Sequence, residues 1–481
     1  MRRSVAWFVG CWLTASSLVA AEENPPALRP FRVATDYPSI QAAIDSLPAA
    51  GGTVYIPEGR YALDQALDLT RRNYHVLLRE EDKQAGRKPR TNSYVHLLGA
   101  GNGTILEGRM KNGPVIDLTD SSFCTLSQLQ IRSQTAQCGI LLARPHPKNR
   151  KGVLLSCGWH TFYNVNIGGS YSVAAVYNQA SEVDRWYGCQ FSNMHPDAHC
   201  FVFTYRNFAG LVSPYAGELC DVGSNSDQRF NGCLFAHHAG PPKDRDNPQG
   251  ATLYVQGWAT DFAVTDCDFG VSGVKAAVWL DGERNPNNGI HIANNRFENK
   301  ATYLVLATGA NNQVTFTGNT CPGATRNFIR ADGTATFWEV HGNQFVRSAL
   351  PDTPPLLFEN LKDSVIGRNW CVLAESPGKE KQTPQIVVTG TCEASEIVVP
   401  RREDFQGTAV RTRLTATDDG GARREYLGAG GGDVVLNFTP RDTRKLPNPK
   451  RGDVALDDGT NTPSKKPALA VFDGTEWRYM D

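Results

Sequence analysis

Aligned on a single position, the chain repeats itself. The stretches GIHIANNRF (Gly289–Phe297), QVTFTGNTC (Gln313–Cys321) and TFWEVHGNQF (Thr336–Phe345) each run a short alternating strand into Asn, one spacer, then Phe or Cys. The same frame places Cys189 in YGCQF, Cys233 in NGCLF and Cys267 in TDCDF, followed by Asn295, Asn319, Asn343 and Asn369. Upstream, Leu129 and Val165 fit less exactly. Successive steps from Leu129 to Asn369 are 36, 24, 44, 34, 28, 24, 24 and 26 residues, a base period of about 24 with insertions. A fixed period of this size marks stacked repeats. Alternation such as Ile290/Ile292 and Val314/Phe316 gives short strands, with no helical periodicity, and the leucine pattern of a leucine-rich repeat is absent.

The expected fold is therefore all-β, a right-handed parallel β-helix in which each repeat is one coil. Like positions stack at roughly 4.8 Å, so nine rungs make a rod of roughly 40 Å. An Asn at the same bend of every coil can hydrogen-bond to the next and satisfy buried backbone groups. The Phe or Cys two residues on points inward. Cys189, Cys233 and Cys267 are read as small buried residues at the corner, not as nucleophiles.

A stacked rod needs covered ends. DYPSIQAAIDSLPAAGG (Asp36–Gly52) reads as an amphipathic N-terminal capping helix, with Ile40, Ala43, Ile44 and Leu47 on one face and Pro48 as its stop. GGTVYIPEGRY (Gly51–Tyr61) follows as strand, turn and strand. GAGNG (Gly99–Gly103) lacks the strand–turn–helix setting of a nucleotide loop and is read as a tight coil corner. From about Arg402 the composition turns polar and Gly-rich, and residues 402–481 are expected to form a small β-rich appendage, with Asp473–Gly474 as a hairpin turn. The domain reading is 1–21 a signal peptide, 22–401 the β-helix with its cap, and 402–481 the appendage.

The signal reading rests on Arg2 and Arg3, the short apolar run from Ser4 to Ala20, and small residues up to Ala21 before Glu22 and Glu23. It places the protein outside the cytoplasm, secreted, periplasmic or at the cell surface. No other segment is long and apolar enough to span a bilayer. Lys+Arg and Asp+Glu are equal at 49 each, which gives no electrostatic case for a nucleic-acid partner. The twelve cysteines, Cys11 in the signal among them, contain no C-x-x-C pair, so no metal framework is expected from them.

The N-terminal helix with GGTVYIPEGRY, then LLGAGNGTILEG, then the N-x-F coils, resembles the pectate-lyase-like superfamily of right-handed parallel β-helices. The likeness covers roughly Phe31 to Cys392 and is closest to the group holding pectate-lyase-type, glycoside hydrolase family 28-related and phage tailspike-like proteins. The resemblance implies a polysaccharide partner and either a glycoside hydrolase or a polysaccharide lyase. Its other implication is a non-catalytic glycan-binding or surface-structural protein, a monomer or a tailspike-like trimer. The polygalacturonase set N-T-D, D-D, G-H-G and R-I-K is absent, and so is D-P-H, so no catalytic residue transfers by motif.

Each coil also carries a strand such as ATLYVQG, AAVWLDG, TYLVLATG or NFIRADG. If Leu253, Val278, Leu304 and Ile329 face in, then Tyr254, Trp279 and Tyr303 face out on adjacent rungs, with Tyr177 and Arg330 extending the row. Such a row suits stacking on sugar rings; the alternative is a satellite core beneath long loops. The insertions Ala143–Gly152, Arg206–Asp227 and His237–Gly250 all fall beside this strand and are expected to wall a groove. Asp281 and Asp332 sit at equivalent DG positions two rungs apart, roughly 9 to 10 Å between backbones, against about 6.5 to 9.5 Å for inverting glycosidases. They serve equally well as turn residues. Glu283 and Arg284 lie in the following loop. A lyase would instead draw on Arg206, Arg330, His237, His238, Asp244 or Asp246, and on Ca2+ as a carboxylate-neutralising ion. No other cofactor is implied. His195, Asp197 and His199 in MHPDAH are chemically fit to hold a metal but lie at a bend, and no metal site is assigned.

Overall fold

Every coil turns on single residues held in the left-handed backbone region. The residue just before each repeat position from Leu129 to Asn343 has positive φ: Gln128, Asn164, Gly188, Gly232, Asp266, Asn294, Gly318 and Gly342, between 51° and 67°. Gly, Asn and Asp dominate because they occupy this region at least cost. The computed structural model describes residues 30–48, 51–70, 94–146, 157–195, 197–221, 225–239, 249–323, 326–346, 353–372, 383–417 and short stretches between 423 and 480. The expected signal segment, 1–21, lies outside the described residues.

After each bend comes the ladder. The backbone N–H of Asn295 donates to Asn319 Oδ1 at 2.9 Å, that of Asn319 to Asn343 Oδ1 at 2.9 Å, and that of Asn343 to Asn369 Oδ1 at 3.1 Å. Each side-chain NH2 also donates along the ladder and to a carbonyl of the preceding rung, as Asn319 does to Ile292 O at 3.0 Å. Corner backbone groups are thereby paired without water, as burial demands. The cysteines continue the same function: Cys267 N–H donates to Asn295 Oδ1 at 2.9 Å, and Cys233 N–H to the sulfur of Cys267 at 3.3 Å. They are buried, as expected, and the Cys267 sulfur is also a ladder acceptor.

The strands form three parallel faces, named here A, B and C in chain order within a coil. Face A carries the inward register Phe162, Trp186, Phe230, Val264, Ile292, Phe316, Val340 and Ile366. Face B follows the ladder with Ile167, Phe191, Phe235, Phe269 and Phe297. Their rings stack at 5.0, 4.6 and 4.4 Å from Phe191 to Phe297. Face C runs Ile116, Ile140, Val176, Phe201, Leu253, Val278, Val305, Ile329, Leu356 and Ile386. Like residues in register fill one continuous core along the axis, and the fold is a parallel β-helix.

A second left-handed bend opens face A. It includes Trp159, Val183 and Phe337, with φ between 55° and 61°. A β-branched or bulky side chain is costly there, and nothing in the residue pattern announces the bend.

At the N-terminus a six-residue helix, Ile40–Asp45, is capped by Ser39, whose Oγ accepts the Ala42 N–H at 3.0 Å. Ile40, Ala43 and Ile44 are buried in the core shared with Val54 and Leu67. Toward the C-terminus, parallel pairing continues through Phe405–Val410 and Thr412–Thr417. The strands Val454–Asp457, Ala468–Phe472 and Trp477–Met480 form an antiparallel sheet. No helix among the described residues is long and apolar enough to cross a membrane.

Candidate functional site on the outer surface of face C

Face C begins with two consecutive buried residues: Ala175 and Val176, Cys200 and Phe201, Ala277 and Val278, Leu304 and Val305, Phe328 and Ile329. Alternation starts only after them. This corrects the sequence register. Val305, not Leu304, pairs with Val278 and Ile329, and Trp279 pairs with Leu306 and Tyr254. The outward row is Leu141, Tyr177, Val202, Tyr254, Trp279, Leu306 and Arg330. Tyr303 lies three positions earlier, in register with Ala276 and Asn327.

Much of this row is covered rather than open. Residues 206–221 form a strap over its N-terminal half. Leu211 and Leu219 pack with Leu141, Tyr177, Val202 and Tyr254 in a second apolar cluster, and Phe208 lies 5.7 Å from the Tyr177 ring and 5.5 Å from that of Tyr254. Ser213 Oγ donates to the buried Asp117 at 2.5 Å, and Tyr215 Oη donates to the Ala66 carbonyl, so the strap is tied several rungs away from where it leaves the coil. The middle insertion therefore roofs Tyr177 and Tyr254 instead of walling a groove beside them. Tyr177 is fully buried, its Oη donating to Arg206 O at 3.0 Å, and Tyr254 is 7% exposed. Neither ring is available for stacking on a ligand. Residues 147–156, 222–224 and 240–248, the last holding Asp244 and Asp246, lie outside the described residues.

Beyond the strap the face carries charge. Trp279 is half-buried; its Nε1 donates to Thr308 Oγ1 at 3.2 Å, and the Lys275 ammonium sits 4.4 Å above its ring. Asp281, Thr308 and Asp332 share one register across three rungs. The two carboxylates are thus two strand spacings apart, as expected. Asp281 accepts from Tyr254 Oη at 2.5 Å, from Gln256 Nε2 at 3.2 Å and from the Glu283 N–H at 3.1 Å. Burial, then the Asp281 charge, push the Tyr254 phenol well above its ordinary pKa, so it stays protonated as the donor. Asp332 is held by Arg330, whose Nε donates to both carboxylate oxygens at 3.0 and 2.8 Å. Arg330 also lies over the buried Tyr303 ring at 5.5 Å and donates to its Oη at 3.3 Å. Glu283 and Arg284 are exposed, not in a separate loop as expected but within the strand Ala276–Ala293, at its irregular stretch between Gly282 and Asn287.

The structure therefore brings Trp279, Asp281, Glu283, Arg284, Arg330 and Asp332 to one surface, with the buried Tyr303 ring beneath Arg330 rather than open to a ligand. It separates the others. His238 is on face B, with Nδ1 3.2 Å from Ser272 Oγ. His237 is buried, and burial lowers its pKa to about 3. Arg206 is at the root of the strap, its N–H donating to Thr204 Oγ1. His199 is half-buried and stacks on Tyr254 at 4.6 Å. Lys275 was not legible as a site residue, although it opens the strand that carries Trp279. Two exposed aromatics pair elsewhere: Tyr163 and Tyr187, 49% and 39% exposed, are neighbours in register on face A.

No protein-family model matches the sequence, and no curated protein matches it. Among solved structures the chain is similar to the A-module of mannuronan C-5 epimerase AlgE6 from Azotobacter vinelandii, at 13% identity over 80% of this chain and 95% of that one, with a TM-score of 0.44. It is similar to tailspike protein 3 of bacteriophage CBA120, at 12% identity over 94% and 69% of the two chains, with a TM-score of 0.43. It is similar to an alginate lyase from Paenibacillus sp. strain FPU-7, at 13% identity over 65% and 93%, with a TM-score of 0.40. The parallel β-helix rests on the strand register itself, and it is the architecture implied by the sequence resemblance.

Proposed function

We propose that the chain is an exported, carbohydrate-active β-helix protein that engages a polysaccharide on face C, between the edge of the strap and Asp332. The observation that carries this reading is the half-buried Trp279 ring two residues before Asp281, which shares its register with Asp332. An indole offers an apolar plane for a sugar ring, and the carboxylates lie along the rod axis where the next rings would run. The helix at Ile40–Asp45 is read as the N-terminal cap, and residues 402–481 as the appendage, its first strands still pairing in parallel with the coils.

Hydrolysis is the chemistry this surface favours. Roughly 9 to 10 Å between backbones two rungs apart places Asp281 and Asp332 at the upper edge of the inverting range. In that role Asp281 and Asp332 are the assigned carboxyl pair, one protonated to give its proton to the leaving oxygen and the other ionised to direct water. Arg330 is already engaged by Asp332, so its charge is not free to neutralise a uronate as a lyase would require. A second reading, binding without cleavage, is favoured by one observation: both carboxylates are already hydrogen-bonded within the protein.

Incubation of the exported form with pectins, alginates and neutral glycans separates these readings. New reducing ends without ultraviolet-absorbing unsaturated ends are expected. Unsaturated ends would make the protein a lyase, and binding with neither product would make it a binding protein. Absence of both binding and product across the panel would remove the proposal.

A further inference from the structure

A second polar surface lies on face B, away from Trp279 and Asp281. Near the N-terminal end of the rod, Arg60, Glu107, Arg109, Gln130 and Arg132 line a cleft of about 470 Å³. Register explains the grouping. Arg60 pairs with Ile105, Ile105 with Gln130, and Glu107 with Arg132, so outward positions of three successive rungs meet. The next rung places Asn166 beside Gln130 and Gly168 beside Arg132.

Three arginines face one carboxylate, and that carboxylate is already shared. Glu107 lies 2.6 Å from Arg60 and 3.8 Å from Arg109. Among the described residues no carboxylate lies within 4.0 Å of Arg132. Among the described residues its side-chain hydrogen bond goes to Gln130, whose Oε1 accepts from Arg132 Nε at 2.9 Å. Arg132 is half-buried because Gly168 leaves room for it: a Cβ at Gly168 would fall 2.0 Å from Arg132 Nη1. A partly desolvated guanidinium without a counter-charge is an expensive feature, and its rigid fork matches a carboxylate.

The surface continues along the axis in amides. A neighbouring cleft of about 280 Å³ is lined by Asn102, Gln128, Asn164, Asn166 and Gln190, with Val165 and Gly188. Asn166 Nδ2 donates to Gln190 Oε1 at 3.1 Å, and Gln130 Nε2 to Asn102 O at 2.6 Å, which fixes the row. Amides both donate and accept, as sugar hydroxyls require. Cations followed by an amide row, rather than cations alone, match a ligand that carries acids and hydroxyls together.

We propose that this face B surface binds an acidic oligosaccharide, with a sugar carboxylate on Arg132 and ring hydroxyls on the Gln130–Asn166 row. The site is separate from face C. It would anchor a second stretch of glycan, or a second chain, on another side of the rod.

The test is calorimetric titration of the full chain with oligogalacturonate, a neutral cello-oligosaccharide and a heparin-derived sulfated oligosaccharide. Titrations in a Trp279→Ala background, where face C is expected to bind about tenfold more weakly, bring this surface forward. Oligogalacturonate should still bind there, more weakly as salt rises, and Arg132→Gln should reduce the affinity about tenfold. Arg109→Gln, at an exposed position, should reduce it by a smaller factor without lowering the melting temperature, and it decides the matter if Arg132→Gln perturbs folding. Unchanged affinity in Arg109→Gln and in a folded Arg132→Gln overturns the proposal. So does no binding at millimolar oligogalacturonate, equal affinity for the neutral sugar, or a preference for the sulfated one. Failure on face C alone, with Arg132-dependent binding intact, would remove the function proposed for Trp279 and leave this site standing.

Discussion

Tyr254 Oη and Asp281 Oδ2 lie 2.5 Å apart, a hydrogen bond between adjacent rungs that joins the roofed half of face C to its open half. The phenol belongs to the apolar cluster beneath the strap, and the carboxylate opens onto the surface that carries Trp279. Tyr254→Phe keeps the ring and removes the donor. A hydrogen bond to a charged acceptor is worth about 1.5–3 kcal/mol, so urea denaturation should show a loss of that order. A variant as stable as the parent would mean that Gln256 and solvent replace the phenol fully.

Trp279→Ala should weaken polysaccharide binding about tenfold, or ~1.4 kcal/mol, since it removes an indole plane that a sugar face would cover. Asp281→Asn and Asp332→Asn should abolish turnover while leaving binding nearly intact. Affinity measurements on the three variants, beside reducing-end assays, check this. Equal affinity in Trp279→Ala would place the glycan elsewhere, and full activity in Asp281→Asn would remove it from the catalytic pair.

The ladder should be sensitive to truncation. Asn319 serves two neighbours, accepting from Asn295 and donating to Asn343 and to Ile292 O. Asn319→Ala leaves several buried groups unpaired, each at about 1–3 kcal/mol, and should lower the melting temperature sharply. Asn319→Cys should be milder, because Cys267 already shows that sulfur can accept a ladder N–H. Thermal unfolding of the two variants should rank them in that order; the reverse order would mean that the amides do not hold the corner.

Stability should fall on acidification. Burial lowers His160, His199 and His237 to about 3, about 4 and about 3. Their unfolded pKa is about 6.5, so the stability they lend is present above that value and drains as pH falls toward 4 and 3. Burial raises Asp117 and Asp184 to about 6, so the stability from these two is complete below about 4 and is lost as pH rises through 6. The three larger histidine shifts outweigh the two aspartates, a net loss of several kcal/mol between about pH 6.5 and 4 by linkage. Chemical denaturation across that range should show the decline, and His237→Gln should make it shallower. A stability that rises toward pH 4.5 would show that the carboxyls dominate.

The residue pattern alone determined the coil. A 24-residue spacing of Asn, Gly or Asp before it, and Phe after it, can be satisfied only if like side chains stack along one axis, because each is useful only against its copy in the next turn. It also set Asp281 and Asp332 in one register, since both close equivalent strands. What is open on face C was decided by tertiary structure. Periodicity fixes the inward and outward sides of a strand but carries no information about where an insertion folds back, and Tyr177 and Tyr254 are buried because residues 206–221 lie over them. The same limit displaced Tyr303 from the Trp279 row. Two consecutive residues, Leu304 and Val305, both turn inward at the corner, a break in alternation that depends on the angle between two faces. Face B's arginines came together for a related reason: Arg60, Arg109 and Arg132 belong to separate coils, and only the stacking of those coils makes them neighbours.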